Sequence, residues 1–400
     1  LEGNFPEINA YNNVIYHEAD LFNILGSGRK WFGEKFDSQN ENEFELEINN
    51  AIPGKDVKVI VSAMSQSFST STMDIAINDQ IVGELSFSPI PNARYTVKGD
   101  EMKDSFQFST DILTASSNLK FIFDRNGSSS AIAYLDNFLI DIPSSIFLEN
   151  EQLSFRSIAS LQNPISKFNL ENLAPESKVW NVSNSRHPKE QQINIAADVG
   201  AFGDFSNQLQ EYVLFNPSQI NLVDSFEEIQ NQNLHEISTP DFLIITTELF
   251  QQSASRLADF RRINDGLTSE VVVLSKIYNE FSSGRQDISA IRDFIRHHYL
   301  KDSQLKYVLF FGKGSYDYKD RVINNTNYVP TYESRSSIDP LTTYSSDDFF
   351  GFLDENEGEW AETIAGDHLL DIGIGRIPVK SVTEAEIAVS KIINYQSTPQ

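Results

Sequence analysis

Over the first 148 residues, apolar and polar positions alternate in short runs separated by turn-forming residues. Phe44, Leu46 and Ile48 interleave with Glu43, Glu45 and Glu47, which puts the apolar side chains on one face of a strand and the acids on the other. Comparable runs recur at 14–16, 57–61, 73–77, 105–108, 119–123 and 133–140. That many strands at near-regular spacing predict a β-sandwich or jelly roll. Asn78-Asp79 reads as a hairpin turn, because both residue types tolerate a left-handed backbone. Pro143-Ser-Ser145 marks the boundary of this region.

Residues 149–238 read as a β-rich connector or second small β domain, with strands at 178–182 and 211–215 between Asn-, Ser- and Gln-rich loops. From residue 239 the period changes. The run 242–246 is a continuous apolar strand, 251–264 carries Ala254, Leu257, Ala258 and Phe260 at helical spacing, and 270–274 is a second strand. Asp287 caps a helix with Ile288, Ile291, Phe294 and Ile295 on one face, and Tyr307–Phe311 follows as a third strand. This β-α-β-α-β order implies parallel strands with right-handed crossovers, so 239–400 is an α/β region. Beyond it, 369–374 is expected as a fourth strand, and Thr383 with Glu386 as the capping box of a last helix ending near Tyr395.

The connection from Gly312 to about Asp367 is far longer than a usual loop, so it is functional or holds small strands of its own. It is rich in aromatics and acids. Asp317, Asp347 and Asp348 are the candidate ligands for a structural calcium, a hard cation that takes several oxygen donors. Arg376, in the turn Gly375-Arg-Ile-Pro378, is expected to pair with one of these aspartates and hold the loop, a structural rather than substrate-binding role.

Other chemistries find less support. Gly312-Lys-Gly-Ser315 lacks the spacing of a phosphate loop, and Ser315 is in no Gly-x-Ser-x-Gly elbow. None of the six histidines has metal-ligand spacing; His297 and His298 diverge by about 100° on a helix, and surface or helix-end positions are expected for all six. Trp31 and Phe32 read either as an exposed pair able to stack on a sugar ring or as packing at the sandwich edge.

Four segments in order carry a family resemblance: Phe311-Gly-Lys-Gly-Ser-Tyr-Asp317, Tyr328-Val-Pro-Thr-Tyr-Glu-Ser334, Ser346-Asp-Asp-Phe-Phe-Gly351 and Gly375-Arg-Ile-Pro-Val379. Upstream, Gly28-Arg-Lys-Trp-Phe-Gly-Glu34 and 231–235 add to it. The chain resembles the gingipain family of cysteine peptidases, and within it the sortase branch of the bacterial type IX secretion system. The resemblance implies a caspase-like α/β fold and a His and Cys pair, the His in a Gly-His-Gly segment. This chain has neither a Cys nor that segment, so no catalytic residue is assigned and the chain reads as an amino-terminal portion, inert by itself. Lys313 stands where an acid is more usual in the family.

The resemblance further implies an exported, cell-surface, outer-membrane-associated protein. Its expected partners are protein cargo with a C-terminal sorting signal and other type IX components, including an outer-membrane β-barrel; its expected acceptor is anionic lipopolysaccharide. The alternative is a non-catalytic exported binding or assembly scaffold with a β-sandwich module.

Charge and composition narrow these readings. Acidic residues outnumber basic ones 57 to 31, and a net charge of −26 argues against nucleic acid or an anionic membrane surface as the main partner. Zero cysteines exclude disulfides and thiolate metal sites within these 400 residues. No run of 18 apolar residues occurs, so no membrane-spanning helix is expected.

Overall fold

The computed structural model describes residues 3–220, 225–302, 304–358 and 368–397. The chain divides into two compact units. One comprises Leu1–Phe22 and Phe32–Glu227; the other comprises Asn23–Trp31 and Glu228–Gln400.

The first unit holds two β-sandwiches. In the first, a sheet ordered Ala10–Glu18, Ile132–Ser145, Asp56–Gln66, Asp100–Ser109, with Lys35–Phe36 added to Ile132–Ser145, shares a core with a sheet ordered Glu41–Glu47, Ser116–Asp124, Ser71–Ile77, Gln80–Phe87. The alternation seen in the sequence is what fills that core. Val57, Val59 and Val61 from one sheet and Met73, Ile75 and Ile77 from the other are fully buried, each worth about 1.5–3 kcal/mol relative to exposure. Leu46 and Ile48 are buried while Glu43, Glu45 and Glu47 face solvent. The expected hairpin is present: Ile77 pairs with Gln80, and Asn78 and Asp79 both have positive φ, 48° and 64°.

The second sandwich has its own core. Its sheets are Glu7–Ile8, Ile165–Leu170, Val199–Phe205, Asn194–Ala196 and Gln152–Phe155, Tyr212–Phe215, Lys178–Asn181, Lys189–Gln191. Between them Phe155, Phe168, Phe202 and Tyr212 stack ring on ring. The Tyr212 hydroxyl donates to Asp204 Oδ2 at 3.1 Å, so this buried polar tip is satisfied.

The second unit is built on four parallel strands, β1 (Phe242–Thr246), β2 (Ser269–Val273), β3 (Tyr307–Phe311) and β4 (Gly373–Ile377), in the order β2-β1-β3-β4. Both faces are covered, which is why β1 and β3 are near-continuous apolar runs rather than alternating. Helices α1 (Gln251–Asp265) and α4 (Val382–Ser397) share a core with Ile244 and Phe311. Helices α2 (Leu274–Phe281) and α3 (Ile288–Lys301) pack against Leu243, Ile245 and Phe310. Asp287 caps α3 as expected, accepting from the Ser289 N–H at 2.7 Å.

Two expectations shift. The fourth strand begins at Gly373 rather than 369, because Leu369 and Leu370 are 67% and 48% exposed and join no sheet. Pairing starts opposite Tyr307, where a Cβ on residue 373 would lie 2.9 Å from the half-exposed Tyr307 ring, so a larger residue would have to displace that ring. The capping residues of α4 are Ser381 and Glu384, not Thr383 and Glu386. Ser381 Oγ accepts from the Glu384 N–H at 3.2 Å, and the Glu384 carboxylate accepts from the Lys380 N–H at 2.8 Å. The same Ser/Thr-x-x-Glu pattern occurs twice, and the earlier copy starts the helix.

The long connection after β3 contains an antiparallel pair, Tyr332–Glu333 with Ser345–Ser346, and a 3₁₀ turn at Asp348–Phe350. Part of it, 359–367, lies outside the described residues. Among the described residues no helix is long and apolar enough to cross a membrane.

Candidate functional site at the carboxyl edge of the parallel sheet

Residues at the carboxyl ends of β3 and β4 organise the long connection. Gly312 leaves β3 with φ 147°, and a Cβ there would lie 2.7 Å from Val329 Cγ2, so the returning chain passes against bare backbone. The N–H groups of Tyr328 and Val329 donate to the Lys313 carbonyl at 2.9 and 3.2 Å.

Arg376 projects from β4 into this junction and all five of its N–H groups have acceptors. Nε and Nη2 donate to Asp347 Oδ2 and Oδ1, both at 2.7 Å. Nη1 donates to the carbonyls of Gly312 (2.8 Å) and Val329 (2.6 Å), and Nη2 also to that of Pro330 (3.2 Å). Its guanidinium carbon lies 5.1 Å from the centre of the Phe310 ring. The side chain thus fastens β3, 328–331 and 347 together, with no donor left for a substrate. This is the expected pairing with an aspartate, and Asp347 is the partner.

The three candidate calcium ligands are not gathered. Both Asp347 oxygens are engaged by Arg376, and Oδ1 also accepts from Thr331 Oγ1 at 2.9 Å. Asp317 is fully buried; its Oδ2 accepts from the Val322 N–H at 2.6 Å, its carbonyl accepts from Asn325 Nδ2 at 2.7 Å, and Oδ1 is buried with no hydrogen-bond partner. Asp348 is exposed. Calcium takes six to eight oxygens, whereas here one carboxylate neutralises an arginine and another closes a turn. Among the described residues, no three His, Asp or Glu are placed to hold a metal ion.

Beside this junction, two segments that the sequence separates by some 300 residues meet. The Gly28 N–H donates to Glu333 Oε2 at 2.8 Å, the Arg29 N–H to the Ser334 carbonyl at 2.9 Å, and the Lys30 N–H to Ser337 Oγ at 2.9 Å. Glu333 is 1% exposed and also accepts from Ser345 Oγ at 2.5 Å. Burial pushes its carboxyl above the usual range, and the two hydrogen bonds oppose that rise. Trp31 is buried rather than exposed: it stacks on Tyr316 at 5.6 Å with Arg321 over its ring, and Phe32 is fully buried too. Both motifs were visible in the sequence. Their contact was not, and the one signal was an acid, Glu333, set among aromatics and small residues.

His298 lies in the last turn of its helix, one of the expected positions, but it is not at the surface. It is fully buried on α3, with Nε2 3.1 Å from the Leu234 carbonyl and Nδ1 3.4 Å from Thr239 Oγ1. Burial, with His297 adjacent, lowers it to about 4, so it is neutral at pH 7. His235 pairs with Glu280 at 2.7 Å, and the same carboxylate accepts from the Leu234 N–H, which anchors the chain entering β1.

Comparison with known proteins fits this architecture. The structure matches that of dimeric latent PorU from Porphyromonas gingivalis with a TM-score of 0.84 at 22% identity, over 98% of this chain and 38% of that one. The chain therefore spans 38% of the length of that protein, and at such identity the likeness is one of fold. The insecticidal δ-endotoxin Cry8Ea1 from Bacillus thuringiensis gives a TM-score of 0.22 at 18% identity, over 28% of this chain and 19% of that one. A CBM36 carbohydrate-binding module solved with calcium and xylotriose gives 0.20 at 14%, over 31% and 97%. No curated protein matches the chain in sequence. The family model for peptidase family C25 matches residues 235–400, the stretch that contains all four parallel strands and the Arg376 junction. Residues 235–400 are thus similar to peptidase family C25, the gingipain family of cysteine peptidases, and the chain shares the fold of latent PorU, with a caspase-like α/β region after its β-sandwiches.

Proposed function

We propose that the chain works within a cell-surface cysteine endopeptidase of the type IX secretion system, a sortase that removes C-terminal sorting signals from exported cargo. The observation that carries this reading is the shared fold with latent PorU over 98% of the chain. In the proposed reaction a thiolate attacks the carbonyl at the cargo–signal junction. The signal leaves as a free amine after taking a proton, and an amine on anionic lipopolysaccharide then displaces the thiolate from the acyl-enzyme. The 400 residues include no cysteine, so that thiolate is not one of them. The role proposed for this chain is support: the Arg376 junction shapes the carboxyl edge of the sheet, and the sandwiches dock cargo and a β-barrel component at the outer membrane.

Deleting the gene in the bacterium that makes the protein tests this. Intact-mass measurement of secreted cargo should then show retained sorting signals, and cargo processed normally without the protein would sink the reading. The lack of cysteine favours a second reading, a non-catalytic exported assembly scaffold. A thiol-directed peptidase probe applied to the native protein separates the two, since only a peptidase would be labelled.

A further inference from the structure

The strand Ala10–Glu18 lies at the edge of its sheet in the first sandwich and pairs with Ile132–Ser145 through nine consecutive residues without a bulge. Asn12 stands opposite Pro143, and its N–H turns away from that neighbour to donate to the Arg156 carbonyl at 3.0 Å. Backbone groups in an antiparallel strand change direction at every residue, so the N–H and C=O groups of Val14, Tyr16 and Glu18 also point outward. Among the described residues, none of these groups has a hydrogen-bond partner. The chain supplies its own partners on either side, Arg156 at Asn12 and Phe32 at Leu21 and Phe22. The open stretch between them, 14–18, spans about 17 Å.

Natural edge strands are guarded by proline, lysine, bulges or charge. Glu41–Glu47, an edge strand of the facing sheet, has that protection, with a glutamate at every second position. Ala10–Glu18 has no proline, lysine or bulge, and it presents Val14 and Tyr16 to solvent. Ile15 packs on the core and His17 stacks on Phe138, which fixes the register of the strand. At its Val14 end the edge opens onto a cavity of about 400 Å³ whose lining includes Leu153, Phe155 and Val182, room for an apolar side chain. Electrostatics select the charge of what binds. The bond that the Tyr16 hydroxyl donates to Glu18, with partial desolvation and the charges of Glu18, Asp136 and Asp20, pushes that hydroxyl up to about 12, so the charges acting on it are negative. Of the cations on neighbouring elements, Lys58 stands opposite Asp141, Arg156 pairs with Glu211 and Lys35 pairs with Asp37.

We propose that the 14–18 edge is a docking site for an extended, lysine- or arginine-bearing segment of a partner protein, which adds a strand to the first sandwich. Main-chain hydrogen bonds supply the affinity, and the acids around Tyr16 select the positive side chains. The proposal stands apart from the peptidase reading, and its failure leaves that reading untouched. The probe is a capped nine-residue peptide of alternating lysine and valine, titrated calorimetrically into the full chain, with hydrogen exchange read at the Val14, Tyr16 and Glu18 amides. Binding that protects these three amides is expected. It should weaken at least tenfold when glutamate replaces lysine in the peptide, and at least tenfold when every peptide nitrogen is methylated. Tyr16→Pro removes an outward N–H that the native sheet does not use, so the fold is kept, which a thermal melt will verify, and binding should again fall at least tenfold. No binding, equal binding of the glutamate or the N-methylated peptide, or protection elsewhere than at these amides overturns the proposal. Protection of the same amides that grows with protein concentration alone assigns the edge to a second copy of the chain and overturns the peptide as its occupant.

Discussion

Replacing Arg376 by alanine removes five donated hydrogen bonds at once and leaves the Asp347 carboxylate without its cation. Breaking one side of a well-buried ion pair costs about 3–5 kcal/mol. The Arg376 and Asp347 side chains are 14% and 20% exposed, so water offsets part of that loss and the lower end, about 3 kcal/mol, is expected. For a unit of this size that corresponds to a fall of about 6–12 °C in melting temperature. Arg376→Lys keeps the charge but not the planar fork and should lose about 2 kcal/mol. Differential scanning calorimetry reads the transition of the second unit. Hydrogen exchange at the Tyr328 and Val329 amides, bonded to the Lys313 carbonyl, reads the junction itself. A loss below about 1 kcal/mol, with both amides still protected, would refute the assignment of Arg376 as the fastening of the loop.

Two further outcomes follow from buried groups. His298 is lowered to about 4 from an ordinary 6.5, so its contribution is complete above pH 6.5 and is lost as pH falls through 4; urea titrations should show a loss of about 3 kcal/mol over that window that is absent in His298→Gln. Gly28 has φ 77° and a Cβ there would lie 2.1 Å from the Ser336 carbonyl oxygen, so Gly28→Ala should release the 23–31 segment from Glu333. Limited proteolysis within that segment should accelerate, and an unchanged cleavage rate would count against it.

Where local pattern decides structure, the sequence was readable. The alternation at 44–48, the Asn78-Asp79 turn, the Asp287 cap and the strands 242–246 and 307–311 all stand where their periodicity places them. The misses share a cause: each depends on contacts remote in sequence. Leu369 and Leu370 look like strand residues, yet pairing with β3 selects the glycine-bearing stretch after them. His298 looks like a helix-end residue until the chain at Leu234 and Thr239 closes over it. The acids of the long connection suggested a cation site because, although Arg376 was expected to take one of them, nothing local reveals that it takes both oxygens of Asp347. The family segments were legible as segments, but not that Gly28 and Glu333 bond across 305 positions.

That last bond bears on how the protein comes into being. The carboxy-terminal unit owns nine residues made some two hundred residues before the rest of it, Asn23–Trp31, in a span bracketed by the Phe22 and Phe32 bridge. It cannot be completed when its own continuous stretch leaves the ribosome unless the early loop has been kept available meanwhile. Loop closure of this length adds entropy cost only logarithmically, yet it is a long-range step of the kind that slows folding. A fragment cut at Glu228 would therefore lack an integral piece of its own interior, and Glu333 would face its burial without the Gly28 amide. Supplying the missing nine residues as a separate peptide would be expected to restore what the cut removes, much as a fragment complements a split protein.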